Sequence, residues 1–279
     1  MRNHGGFSWT RPLGLLVGAL VLSAAIPSTA SAQYRPPSFT HEAIGERYHV
    51  ELRGTMWNPS LFGVVSSEQF GIVGNDIDFV KDLGFEKTRF REMGLTLRPG
   101  KKHKFRAQYM PMVYTSDTVT HQNLVFNGIE FPASVPVVAE FDWKVWKFGY
   151  EYDFVYRDRG FVGILFEARL TDFSARLASP LANEYTTAKG PLPALGLVAR
   201  AYVLPMVALN FEVSGFKVPN IQKKYEANYY DWDIHATMNV TNNLGAEVGW
   251  RRSTTFLLIN HDKGDMKFQG MWFGAALRY

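Results

Sequence analysis

The chain has 279 residues, 46% of them apolar, 15% aromatic and 20% charged, with no cysteine and a formal net charge of +4. The missing cysteines exclude a disulfide framework and any thiolate-bound zinc or iron–sulfur site. The 21 Phe, 13 Tyr and 7 Trp are too many for a disordered chain, although a mean hydropathy of −0.14 is ordinary for a soluble one.

The first segment reads as an address. Arg2 and Arg11 precede an apolar run from Leu13 to Ile26, followed by Pro27 and the tripeptide Ala30-Ser31-Ala32. A positive start, a short apolar stretch and a small-residue cleavage site define a secretory signal peptide, here residues 1–32. The run is shorter than the ~20 residues a membrane-spanning helix needs. Its removal takes away Arg2 and Arg11 and leaves a nearly neutral chain, so the basicity points to no nucleic-acid partner. Residues 33–45, with Pro36 and Pro37, read as an extended tail, and the folded part is expected to span 46–279.

From there the chain alternates with a period of two, the mark of strands. Tyr48, Val50, Leu52, Gly54 and Met56 interleave with His49, Glu51, Arg53 and Thr55. Ten such strands are predicted: 46–57, 86–98, 103–116, 140–157, 161–172, 193–204, 207–217, 228–240, 244–257 and 265–279. Connections alternate in length. The short ones, at 99–102, 157–160, 204–206 and 241–244, carry Pro, Gly or Asn suited to tight turns. The long ones are roughly 58–85, 117–139, 173–192, 218–227 and 258–264. Within the first, 75–79 reads as a possible extra strand and 78–83 as a short helical turn, so eight or twelve strands stay open.

The two faces differ in kind. The polar face carries Glu51, Arg53, Glu151, Asp153, Glu167, Arg169, Arg200, Glu212, Glu247 and Arg251, with signs mixed, which suits a narrow interior where opposite charges pair. The apolar face is rich in Tyr, Trp and Phe, which suits lipid bounded by aromatic girdles. A soluble β-sandwich has no reason to alternate its loop lengths, and a lipocalin-like barrel puts its apolar face inward. The pattern therefore predicts an all-β fold: a transmembrane antiparallel up-and-down β-barrel with an even strand number.

On the last strand Met271, Phe273, Ala275, Leu277 and the terminal Tyr279 share one face. This resembles the assembly signal of the bacterial outer-membrane β-barrel superfamily, for which Phe273, Leu277 and Tyr279 are the matching positions. The resemblance covers 46–279 and implies several things. The chain is exported and resides in the outer membrane of a Gram-negative-type bacterium, with both termini periplasmic. Its partners are outer-membrane lipid and lipopolysaccharide, with the barrel-assembly machinery during biogenesis. It is a monomer.

Function is less legible. Asp231, Asp233 and His235 share a face near the outer end of the eighth strand and resemble half of the Asp-Asp and Asp-His constellation of the omptin proteases. No second Asp pair accompanies them. His121, His261 and Asp262 lack metal-ligand spacing, and no cofactor is implied. A barrel of ten strands is too narrow for an open porin channel, though a small-solute path stays open beside a structural or surface-binding role. The loops hold Phe126, Ile129, Phe131, Val135, Val137, Leu177, Leu181 and Tyr185, which read either as a cap over the mouth or as a binding surface. Finally, Lys87, Arg89, Arg91, Lys144, Arg252 and Lys267 fall in register to point outward at the upper rim, as a belt for lipopolysaccharide phosphates.

Overall fold

The computed structural model describes residues 43–66, 68–69, 72–126, 128–221, 225–259 and 262–279. The expected signal peptide and residues 33–42 of the expected tail lie outside the described residues. The ten main strands are β1 (Val50–Trp57), β2 (Phe90–Gly100), β3 (His103–Val119), β4 (Pro136–Arg157), β5 (Gly160–Ala178), β6 (Asn183–Leu204), β7 (Val207–Ile221), β8 (Tyr225–Asn239), β9 (Leu244–Ile259) and β10 (Asp262–Arg278).

Each strand pairs antiparallel with the next, and β1 pairs β10 from Glu51↔Arg278 to Trp57↔Trp272. The sheet is thereby closed into a ring. Closure follows from the period of two. One residue set can face hydrocarbon and the other the lumen only if the register stays fixed around the ring. The tight turns work as their residues suggest. Gly160 takes a φ of +144° and passes so close to β6 that a Cβ there would collide with the Arg200 carbonyl.

Four tight turns and both described chain ends lie at one end of the ring, the turn end. The opposite, hairpin end is built differently from the sequence expectation. β4 begins at Pro136 instead of 140, β5 runs to Ala178 instead of 172, and β6 begins at Asn183 instead of 193. Most of the expected loops 117–139 and 173–192 is strand. The alternation of apolar residues stops there, but backbone pairing does not depend on it and continues. At the turn end, β1 begins at Val50 instead of 46, because Ala43–His49 serves a different contact described below.

Within the 58–85 excursion, the expected extra strand shortens to Ile77–Asp78, and the expected helical turn appears as the hydrogen bonds from the Asp82 amide to the Asp78 carbonyl at 3.0 Å and from the Gly84 amide to the Val80 carbonyl at 3.1 Å, with no longer helix among its described residues. Past Asn58 and Pro59, Ser60–Ser66 continues β1 along β10, and Ile77–Asp78 pairs with Val64 and Val65. Asp78 then turns the chain by accepting hydrogen bonds from the Val80 and Lys81 amides through Oδ1, both at 2.9 Å. The segment that follows tucks Phe79, Leu83 and Phe85 inward against Tyr114 and Phe141. A small hairpin, Leu124–Phe126 with Ile129–Phe131, lies over the same place. Asn75 ties the two excursions together, donating to the Asn123 carbonyl at 2.8 Å and accepting from the Val125 amide at 2.6 Å.

Candidate functional site

The lumen has two storeys. The polar storey occupies the turn-end half. Glu51 accepts from Arg278 at 2.5 Å and lies 3.4 Å from Arg53, which reaches Glu247 at 3.1 Å. Lys104 sits between Glu151 at 2.6 Å and Asp153 at 3.0 Å. Arg106 links Glu151 at 3.2 Å to Glu212 at 2.7 Å across the lumen. Arg169 pairs with Glu167. Nearer mid-barrel, Asp231 gathers Lys147 at 2.9 Å, Arg169 at 3.2 Å and Arg251 at 2.7 Å, and Arg251 goes on to Glu92 at 2.9 Å.

Such charges persist because each is matched; a buried carboxylate without its cation is costly. The structure thus places all ten residues of the expected charged interior in the lumen. It adds Glu46, Glu92, Arg98, Lys104, Arg106, Lys147, Asp231 and Arg278. Lys104 and Arg106 alternate visibly in the sequence, but which wall they reach is a property of the closed ring.

The second storey corrects the picture of a wholly charged interior. In the hairpin half the inward positions are Met110, Met112 and Tyr114 on β3, Phe141 and Trp143 on β4, Leu177 on β5, and Phe268 and Trp272 on β10, joined by Phe79, Phe85, Phe126 and Phe131 from the excursions. This is an apolar core held inside the barrel. Of the apolar loop residues, Phe126, Phe131, Val137 and Leu177 are buried in it, whereas Ile129, Leu181 and Tyr185 are exposed.

Asp233 and His235 lie at the boundary between storeys, in mid-strand and not at the outer end. His235 Nδ1 is 2.6 Å from Asp233 Oδ1, and the Trp272 indole donates to Asp233 Oδ2 at 2.5 Å. The neighbouring Asp231 is fully engaged by its cations. The two cavities that touch His235 measure about 40 and 50 Å³, room for water and little else. Of the loop trio, His261 lies outside the described residues, and no cluster of metal-ligating side chains occurs among those described.

At the turn end the chain blocks its own exit. The Ile44 amide donates to the Pro205 carbonyl at 2.8 Å, and the Ile44 carbonyl accepts from Asn239 at 2.7 Å. Glu46 pairs with Arg200 at 2.7 Å and Arg98 at 3.5 Å and accepts from the Tyr202 hydroxyl at 3.0 Å. Burial alone would raise the Glu46 carboxyl. The Arg200 guanidinium beside it, aided by Lys104 and Arg98, outweighs that and holds it below its ordinary value. Gly45, at a φ of +89°, passes so close to Asn239 that a Cβ would lie 2.8 Å from its side chain.

Outside, the ring carries a belt of exposed apolar side chains, among them Leu52, Phe105, Trp146, Phe166, Leu197, Phe211 and Ile234. Above it lie exposed Lys87, Arg89, Arg91 and Lys144, with Arg252 and Lys267 half-buried. Arg89 stands over the Phe273 ring and Lys267 over Phe62. Phe273 and Leu277 are exposed on the outward face of β10, and Tyr279 just past its end is exposed as well.

The structure of the outer membrane protease OmpT from Escherichia coli overlays with a TM-score of 0.51 and 10% sequence identity, covering 90% of this chain and 100% of that one. The chain shares that closed antiparallel β-barrel fold. The barrel also overlays, more loosely, on the attachment invasion locus protein Ail of Yersinia pestis (TM-score 0.36, 8% identity, 84% of this chain and 100% of that one) and on Neisserial surface protein A (TM-score 0.35, 11% identity, 83% and 97%). No family model matches the sequence, and no curated protein matches it.

Proposed function

We propose that this outer-membrane barrel is a sealed, non-catalytic envelope protein whose work is done at the hairpin end, in a structural or surface-binding role. The observation that carries the reading is the lumen, obstructed at successive heights: by Ala43–Tyr48 at the turn end, by ion pairs above it, and by an aromatic core under the Leu124–Phe131 hairpin. The turn end faces the periplasm and the hairpins face outward, since the short connections are those a barrel leaves on its inner side. Assembly through the C-terminal strand by the barrel-assembly machinery, and a monomeric state, belong to the same reading. An omptin-like site has little support, because the Asp233–His235 pair adjoins spaces too small for a peptide. The basic residues above the belt suit lipopolysaccharide phosphates, which Arg engages with two parallel hydrogen bonds.

Conductance decides between a sealed barrel and a small-solute channel. Refolded protein in a planar bilayer is expected to give no steady single-channel current. Reproducible porin-like steps would overturn the reading.

A further inference from the structure

The ring is not paired over its whole height. β6 pairs β5 along its full length, up to Ala178↔Asn183, yet its pairing with β7 begins only at Leu195↔Gly215. Among the described residues, Lys189–Ala194 forms no ladder with β7, while β7 above Gly215 pairs with β8. The sequence states the reason. Pro191 and Pro193 sit two apart, so their nitrogens lie on the same strand edge, and neither carries an N–H. Both are seated opposite β5 residues, Leu170 and Ala168, in a continuous ladder. The donors they lack are therefore missing from the β7 edge, where prolines are tolerated only when no ladder forms.

Behind this seam lies a cavity of about 280 Å³, close to the lower end of the range for small-molecule sites, ~300–1,000 Å³. Trp143, Phe173, Leu192, Leu257 and Met266 supply its apolar walls. None of its described lining residues comes from β7 or β8, the strands that follow β6 around the ring. Its open side thus faces the part of the wall where β6 and β7 separate. A second separation, between β2 and β3 above Met93↔Tyr109, is instead stopped by the protein's own Phe79, Phe85 and Phe90, all buried.

The height of the seam identifies what could use it. Outward Leu195 and Leu197 are lipid-belt residues, and the apolar outer surface of β6 continues through Pro193 and Pro191 to Lys189; on β7 it runs from Phe211 to Lys217. The seam therefore opens within the hydrocarbon edge of one leaflet and rises to its charged boundary. Unpaired backbone and an apolar void at that depth are both unfavourable unless something apolar covers them.

We infer that the seam between β6 and β7 is a lateral portal, through which the hydrocarbon chain of an amphiphile in the outer-side leaflet enters the apolar cavity. The chain would fill the void and leave its polar head among the lysines at the rim, without passing through the barrel. A free fatty acid and the acyl chain of a bilayer lipid share this chemistry.

The test uses the full-length barrel refolded in bilayers carrying a diazirine-bearing palmitic acid, or separately a diazirine-bearing phosphatidylethanolamine, with crosslinks mapped by mass spectrometry. Crosslinks at Trp143, Phe173 or Met266 are expected from at least one probe, and which probe gives them identifies the source. Gly190 lines the cavity with nothing within 4 Å of an added Cβ, and Gly264 has only the tip of Met266 at 3.9 Å. Gly190→Leu and Gly264→Leu should therefore fill the space and fold normally. Each is expected to lower the interior crosslinks at least tenfold while leaving those at outward Leu195 and Phe211 unchanged. Gly54→Leu, also in open space but on the lipid face, serves as the control. Crosslinks confined to outward residues, or interior crosslinks undiminished in both filled variants, would overturn the portal.

Discussion

Asp231 is the residue on which the polar storey converges. One carboxylate faces Lys147, Arg169 and Arg251, from three different strands. Asp231→Asn keeps the shape and leaves the cations under-compensated in a buried site. The expected loss is ~3–5 kcal/mol, the usual result of breaking a buried ion pair, read from urea unfolding in detergent micelles. Asp172 pairs with Lys189 on the exposed outer rim at 2.7 Å, and Asp172→Asn should cost under ~1 kcal/mol. At the outer rim, Arg89→Gln with Arg91→Gln should reduce the rise in melting temperature that lipopolysaccharide gives the wild type; an equal rise in both would reject the belt. The sequence marks Asp231 as inward-facing through the period of two, but pairs it in the reader's eye with its neighbour His235. Of its true partners, Arg251 stands on the adjacent strand β9 and Lys147 and Arg169 across the lumen on β4 and β5, and no local spacing encodes the height at which distant strands meet.

Among the elements, the segment Ala43–Tyr48 has the clearest dependence on conditions. Its anchor, Glu46, has its carboxyl held below the ordinary value in the folded protein. A depressed carboxylate contributes stability that is fully present above its unfolded pKa and is lost as pH falls through the folded one. The segment should therefore stay seated above about pH 4.5, the ordinary glutamate value, and loosen progressively below it. Amide hydrogen exchange over residues 43–48 should show this loss of protection, and Glu46→Gln should show reduced protection already at neutral pH with little further change on acidification. The strands themselves were legible because each has one apolar and one polar face. Ala43–Tyr48 was not, since it follows no period and is ordered by contacts with Arg200, Pro205 and Asn239, all far along the chain. The extended hairpins were missed for the opposite reason: paired strands above the lipid need no apolar face.

For the whole molecule, a closed ring of hydrogen bonds predicts resistance to dodecyl sulfate. Unheated and boiled samples should migrate differently in a gel, and the protein should be recovered with the outer-membrane fraction; identical migration together with recovery in the soluble periplasm would contradict the fold. Strand number, barrel closure and the outward belt could all be read in advance from alternation and loop lengths. The division of the lumen could not. Met110, Met112, Phe141 and Phe268 occupy inward positions in strands whose lower residues are charged, so a single strand looks merely mixed. Only the ring stacks these positions at one height and reveals a core.

The meeting of the first and last strands also sets an order of events. Tyr279 exchanges backbone hydrogen bonds with Val50, at 2.8 and 2.9 Å, so this seam of the ring is complete only once Tyr279 is in place, and contacts this remote in sequence form slowly. The stretch around Gly45 touches β2, the β6–β7 turn, β8 and the end of β10, and it can seat only when these have already come together. It is in this sense a latch, expected to engage after the strands have met. Interactions made after the barrier act on escape and hardly at all on formation. Loss of the latch should thus leave the speed of barrel formation nearly unchanged and shorten the lifetime of the finished barrel.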